Sequence, residues 1–264
     1  MKLLFFGMGS IGKKHANIIR RLYHDDHEII HFQRGQDISG YDVAFVCAPT
    51  NYHVPVAVRC INAGIKRIFM EKPIGTDLAQ LNDLMGNVNG ARVYVAYPFR
   101  HSHQVMSWQR TIPSKCTKAK LVCRTHIGDW LKPYGVHENT GGGATFELSH
   151  EIDLAAFLFG PIQSIRGSVC YDGNPFTRAE TRARMMCEHP NHTTEIELDI
   201  LSATRERFIE FDGLRIDTKV SEHMYVNQLR WYFDNIENSS NIVEAAEIFR
   251  NIVTFKERAA GCLH

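Results

Sequence analysis

The sequence predicts an α/β protein, with a doubly wound parallel sheet in its N-terminal part and an α+β domain with a largely antiparallel sheet after it. Three observations carry that prediction. Up to Pro98, short strands that are apolar on both faces alternate with helical patterns across short turns. A Gly-x-Gly-x-x-Gly run, Gly7-Met8-Gly9-Ser10-Ile11-Gly12, follows the first strand and opens the first helix. From Ile162 to Lys219, apolar and polar residues alternate in short runs, as in strands with one buried face. The change falls near Pro98, giving domains 1–98 and 99–264, since 264 residues exceed one typical compact unit.

In the first domain the strands are Lys2–Phe6, Glu28–Gln33, Asp42–Cys47, Arg67–Glu71 and Arg92–Tyr97, and the helices are Ile11–Tyr23, His53–Ala63 and Asp77–Asn87. Asp77-Leu78-Ala79-Gln80 is a capping-box pattern, and Gly64 stops the helix before it. Only eight residues, Arg34 to Tyr41, join the second and third strands. A parallel crossover usually takes a dozen or more, so a bare loop or single turn is expected there. The second domain begins with a helix, Ser102–Thr111, a strand, Ala119–Ile127, and a loop, Gly128–Gly143. An amphipathic helix follows, His150–Phe159, closed by Gly160-Pro161. Strands Ser164–Tyr171, Thr181–Glu188, Thr194–Leu201, Arg205–Phe211 and Leu214–Thr218 come next, with hairpin turns at Pro190-Asn191 and Asp212-Gly213. Helices Tyr225–Asn238 and Ile242–Ala259 finish the chain.

Composition narrows the function classes. A formal net charge of +1 supplies no field for nucleic acid or membrane, so neither is expected as a partner. The arginines from Arg178 to Arg184 read as a solvated strand face. Seven cysteines without a Cys-x-x-Cys pair fit reduced thiols better than a disulfide framework. Cys187-Glu188-His189-Pro190-Asn191-His192 has metal-ligating residue types, but its Pro and Asn read as a hairpin turn, and no metal site is predicted. The first apolar run ends at Gly7, too short for a signal peptide, and no stretch approaches the roughly 18 apolar residues of a membrane span. The expectation is a soluble cytoplasmic protein.

The glycine run sits where a Rossmann-type dinucleotide-binding turn belongs. Its first glycine permits the tight turn, the second lets backbone approach a pyrophosphate, and the third lets helix and strand pack closely. Helix N-terminal amides then face the phosphates. Gly7, Met8, Gly9, Ser10, Ile11 and Gly12 are therefore assigned to the cofactor. An acidic residue at the tip of the second strand would select NAD, and an arginine NADP. That tip reads Gln33-Arg34, which favours NADP over NAD and adds both residues to the cofactor set, although an arginine there can equally stack on adenine or face water.

Gly7-Met8-Gly9-Ser10-Ile11-Gly12-Lys13-Lys14-His15, Ala48-Pro49-Thr50-Asn51-Tyr52-His53, Glu71-Lys72-Pro73 and the run from Gly141 to Asp153 together resemble the Gfo/Idh/MocA oxidoreductases in order and spacing. The resemblance covers most of the chain. It implies a cofactor site that also includes Ala48, Pro49, Thr50, His53, Glu71 and Lys72, with a cis peptide before Pro73. It implies that Lys72 reaches both the nicotinamide ribose and the substrate hydroxyl, where a lysine can take part in proton transfer. It makes His150 the acid/base or substrate-orienting group, with Asp153 three residues on along the same helix face orienting the site. Lys72, His150 and Asp153 form the catalytic set. Many relatives carry an acidic or amide residue four before this histidine; here that position is Phe146, and Glu147 follows it. Tyr97 and Arg100 fall where the family contacts substrate, with Lys72, Glu147 and His150, although Arg100 can equally tie the domains together. The loop Asp129–Gly143, with Trp130 and Tyr134, reads either as a lid or as a plain surface loop. The resemblance implies a homo-oligomer, dimer or tetramer.

The expected function is NAD(P)-dependent hydride transfer to or from a carbinol or ketone carbon of a sugar, nucleotide sugar or cyclitol. The alternatives are a non-catalytic NAD(P)-sensing regulator and an imine or biliverdin-type reductase. Retention of Lys72 and His150 argues for chemistry, because a sensor has no need of a proton-handling pair.

Overall fold

A computed structural model describes residues 1–24, 26–112, 116, 118–126, 142–171 and 178–261. Its strands are β1 (Lys2–Phe6), β2 (Glu28–His31), β3 (Val43–Val46), β4 (Arg67–Glu71), β5 (Arg92–Ala96), β6 (Lys118–His126), β7 (Ser164–Cys170), β8 (Arg182–Glu188), β9 (Thr193–Asp199), β10 (Leu201–Phe211) and β11 (Leu214–Asp217). Its helices are α1 (Ser10–Tyr23), α2 (His53–Asn62), α3 (Leu78–Asn87), α4 (His103–Thr111), α5 (Ala144–Glu147), α6 (Ser149–Phe159), α7 (Glu222–Asp234) and α8 (Ile242–Gly261). Two compact units result: Met1–Pro98 with Ser221–Ala246, and Phe99–Val220 with Glu247–His264.

The first unit is a five-stranded parallel sheet in the order β2-β1-β3-β4-β5. Its central strands read as unbroken apolar runs because both faces are covered; every residue of β3 is buried. Phe5, Phe45, Phe69 and Tyr94 occupy paired positions on β1, β3, β4 and β5. Their rings lie at centroid distances of 4.5, 4.8 and 5.4 Å in turn, the first two pairs stacked and the last tilted, forming one aromatic row across the sheet. Helix α1 buries Gly12, His15, Ala16 and Ile19, spaced as a single helical stripe, against this face. Asp77 caps α3 by accepting from Gln80 N, and Ser102 caps α4 by accepting from Val105 N.

Helix α7 departs from the sequence expectation, which placed residues 221–246 in the second domain. It lies on the aromatic row, with Tyr232 edge-on to Phe69 at 5.1 Å and Phe233 6.3 Å from Phe45. Just beyond it, Asn241 hydrogen-bonds both ways with the Val95 backbone, at 2.7 and 2.9 Å, and Ser240 donates to Val93 O. These bonds satisfy the otherwise open edge of β5, which holds the segment to the first sheet. The apolar pattern of α7 showed a buried face but not which sheet would cover it.

The short link between β2 and β3 contains turns and no helix, with positive φ at Gly35 and Gly40 and an anchor in buried Ile38. β2 ends at His31, so Gln33 and Arg34 lie in the turn beyond it.

The second unit holds a six-stranded sheet, β11-β10-β6-β9-β8-β7, antiparallel except for the β6–β9 pair. Asp212 and Gly213 both have positive φ and close the β10–β11 hairpin. His189 N donates to His192 O across Pro190-Asn191, so the stretch with metal-ligating residue types is a strand turn. β10 starts four residues earlier than expected, and a register shift between Leu201 and Glu206 interrupts the alternation that would have marked it. No helix among the described residues is long and apolar enough to cross a membrane.

The glycine at the α1–β1 contact supplies a direct test. A Cβ on Gly12 would run into the carbonyl oxygen of Gly7. Gly12→Ala is therefore expected to lower the unfolding free energy by roughly 1–3 kcal/mol, read from urea denaturation.

Candidate functional site

In the first unit, the loops at the carboxyl edge of the sheet gather the predicted cofactor residues, where open α/β sheets bind ligands. Gly7 has φ +98°, and a Cβ there would lie 2.5 Å from Cys47 O, so β1 and β3 can leave the sheet side by side only with glycine at this position. Gly9 is the N-terminal cap of α1 and faces open space, with nothing within 4 Å of where its Cβ would be. The first turn of α1 contains no acidic residue, which leaves the positive end of the helix uncompensated. Met8 and Ile11 pack against the core below, and Ser10 is exposed.

Ala48 and Pro49 lead from β3 into a short 3-10 turn, Thr50–Tyr52, which runs on into α2. Within it Asn51 Oδ1 is buried with no hydrogen-bond partner. The Lys72-Pro73 peptide bond is cis. His53, expected on the cofactor, instead directs both ring nitrogens at backbone carbonyls: Nδ1 lies 2.7 Å from Pro73 O and Nε2 2.8 Å from Ala48 O. Glu71, also expected on the cofactor, accepts from His15 Nε2 at 2.6 Å. Both side chains make these bonds within the protein. The Glu71 partner was missed because His15 sits one helix turn beyond the glycine run, where the apolar stripe alone explains it.

At the adenine end, Gln36 N donates to Gln33 O at 3.0 Å, closing a turn with Gly35 at φ +86° and Arg34 exposed beside it. The next carboxylate, Asp37, accepts from Ser39 N and Oγ at 2.9 and 2.7 Å. Arg59 lies over the Phe32 ring at 5.0 Å. Tyr97, expected on substrate, is 1% exposed.

The second unit organises the run that ends in His150 and Asp153. Gly143, at φ +107°, leads into α5, and a Cβ on it would strike the Glu180 carboxylate. Glu180, itself buried, accepts from Thr145 N at 3.2 Å and from Thr145 Oγ1, and pairs with Lys256 at 3.1 Å. Lys256 also lies 4.0 Å from the Phe146 ring, which stacks on Phe249. Phe146 is thus a core side chain. Glu147 is half-buried at the end of α5, and Glu151, buried on α6, pairs with Arg207 Nε at 2.7 Å. His150 is half-buried on α6 and meets the Phe99 ring edge-on at 5.8 Å.

Asp153 is fully buried and accepts from Arg100 in a forked arrangement, Nε at 3.0 and 3.1 Å and Nη2 at 2.7 Å. The residue expected to orient the site is therefore itself held by the residue expected to bind substrate. Glu180, Lys256 and Arg207 were not anticipated; a lone charge on a strand or helix gives no sign that it will be buried. The loop with Trp130 and Tyr134 lies outside the described residues.

The carboxyl edge of the first unit thus combines a glycine turn open above Gly9, a helix N-terminus with no acidic residue in its first turn and a buried Asn51 oxygen without a hydrogen-bond partner, features that fit a dinucleotide. Residues 28–97 match the model of the Gfo/Idh/MocA oxidoreductase family, NAD-binding Rossmann fold. No curated protein sequence matches the chain. Among solved structures it is similar to the WlbA dehydrogenase from Bordetella pertussis in complex with NADH and UDP-GlcNAcA, with TM-score 0.82, 15% identity and 99% and 97% of the two chains covered. A putative myo-inositol dehydrogenase from Sinorhizobium meliloti gives TM-score 0.79, 16% identity and coverage of 99% and 98%. An oxidoreductase from Agrobacterium radiobacter in complex with NAD+, L-tartaric acid and magnesium gives 0.81, 13%, and 99% and 97%. At these identities the likeness is one of fold.

The buried histidines set a pH dependence. Burial, then the neighbouring Arg100 charge, push His101 from 6.5 down to about 4; burial also lowers His53 and His189. The unfolded chain takes up protons near 6.5 that the folded one refuses until lower pH, so this stability is complete above pH 6.5 and lost on acidification toward 4. Melting temperature is expected to fall steadily below pH 6.5, with His101 alone accounting for up to about 3 kcal/mol. His101→Gln flattens that slope.

Proposed function

We propose that this protein is an NAD(P)-dependent oxidoreductase that moves a hydride between nicotinamide C4 and a carbinol or ketone carbon of a sugar, nucleotide sugar or cyclitol. The observation that carries the reading is the conjunction, on one sheet edge, of the glycine turn open above Gly9 and the Glu71-Lys72-Pro73 run at the end of β4. The WlbA structure with NADH and UDP-GlcNAcA and the inositol dehydrogenase support the cofactor and substrate class.

The α1 N-terminus and Gly9 hold the pyrophosphate, with Ala48, Pro49 and Thr50 along the next loop. The bound cofactor supplies the hydride acceptor or donor. When a carbinol is oxidised, its C–H leaves as hydride and its O–H proton passes to Lys72 or His150; in the reverse direction the same groups return the proton. Asp153 holds Arg100 and so fixes α6, on which His150 rides. The reading includes a homo-oligomer working in the cytoplasm.

NADP is the proposed cofactor over NAD. Arg34 stands exposed at the turn after β2, and the first carboxylate beyond it, Asp37, is committed to Ser39. A guanidinium there suits a 2′-phosphate, whereas a 2′-hydroxyl would call for a carboxylate at that turn.

Lys72→Met is expected to cut turnover with polyols or nucleotide sugars by at least about a hundredfold while leaving dinucleotide binding within a few-fold. Unchanged turnover would end this mechanism. Arg34→Ser should weaken NADPH by about tenfold or more in a fluorescence titration and leave NADH nearly untouched. Equal losses for both would assign Arg34 to adenine stacking instead.

A further inference from the structure

Two buried histidines at the carboxyl edge of the first sheet have no place in the proton transfer just described, yet both end on the residues that flank Lys72. His15, fully buried on α1, donates through Nε2 to Glu71 Oε1 at 2.6 Å. His53, 2% exposed at the start of α2, sets Nδ1 2.7 Å from Pro73 O and Nε2 2.8 Å from Ala48 O. One ring thus ties the helix that opens the pyrophosphate seat to the last residue of β4. The other lies between the exit of β3 and the residue after Lys72, and with one N–H on its neutral ring it donates to one of these two carbonyls.

Packing alone does not call for imidazole at the first of these places. His15 sits among rings, 5.1 Å from Phe69 and 5.9 Å from Tyr225, where an apolar side chain would fill the space without burying two nitrogens. Burial without any hydrogen bond is the fate of its Nδ1. That cost is accepted at a position whose other nitrogen reaches Glu71.

We propose that His15 and His53 are positioning residues that clamp the backbone on both sides of Lys72 and so fix where its side chain leaves the sheet edge. The proposal rests on the assignment of Lys72 to the cofactor and substrate. Three loops that leave separate strands then act as one rigid ledge: the glycine turn, the Ala48 loop and the Lys72 loop. Glu71 and His53 belong to this ledge as its internal ties and not as ligand contacts.

The test measures acetylation of Lys72 by mass spectrometry, with exposed Lys66 as internal reference, with and without saturating NADPH or NADH. Dinucleotide affinity is measured separately by nicotinamide fluorescence, so that saturation is assured for every variant. In the native protein, bound dinucleotide should slow Lys72 acetylation by about tenfold or more, and His15→Phe or His53→Ala should reduce that protection to under about threefold although dinucleotide still binds. His15→Gln, which keeps an N–H toward Glu71, should restore it; a loss of packing alone would not be rescued this way. If a Phe or Ala variant does not fold, His15→Asn and His53→Ser, polar but too short to span the gaps, carry the same expectation. Full protection in the folded variants would overturn the clamp and leave the proposed function standing. Native protein that binds neither dinucleotide would overturn the proposed function and the clamp with it. Binding without protection of native Lys72 would remove the lysine from the cofactor site, and the clamp would fall there too.

Discussion

The aromatic row through Phe5, Phe45, Phe69 and Tyr94 is the contact on which the rest of the first unit depends. In a parallel sheet, a slip of one residue turns every side chain to the other face, so four rings at paired positions fix the register of four strands together. Two residues further along each strand come Gly7, Cys47, Glu71 and Ala96. Register in the core thus becomes alignment at the edge, and the loops that carry the glycine turn, Pro49 and Lys72 leave the sheet at one level. The same row gives α7 its seat, which explains why a segment far along the chain returns to the first sheet.

Glycine and histidine complete that edge in different ways. Gly7 and Gly12 allow contacts that any side chain would forbid, bringing β1, β3 and α1 within backbone reach of each other. His15 and His53 then join loops that have been brought close. Gly9 does neither; its side is open, which is what a ligand-facing position requires. One motif therefore contains two glycines that the fold requires and one that the proposed reading gives to the cofactor.

Much of this was legible in the sequence. Period and turn chemistry marked the elements of both sheets, the glycine run marked the first crossover, and the shortened link after Arg34 was correctly read as lacking a helix. Pairing between distant residues was not legible. Nothing near Glu71 points to His15, and nothing near Thr145 points to Glu180 or Lys256. Motif matching assigned Glu71 and His53 to the cofactor because it sees residue types in order and not where a ring nitrogen is aimed. The destination of α7 was hidden for the same reason: its apolar face is evident, and the partner sheet is not.

The buried charges of the second unit follow one rule. Asp153 is matched by Arg100, Glu151 by Arg207 and Glu180 by Lys256, each carboxylate nearly or wholly excluded from water. Such pairs contribute little net stability, because desolvation offsets their attraction, but losing one partner leaves a costly lone charge. Their value lies in geometry: the forked Arg100–Asp153 contact admits few orientations, two of these pairs hold α6 just after His150, and the third holds α5 before it. In the proposed reaction this separates the tasks. Asp153 and Glu151 hold the helix, and the proton is left to Lys72 or His150.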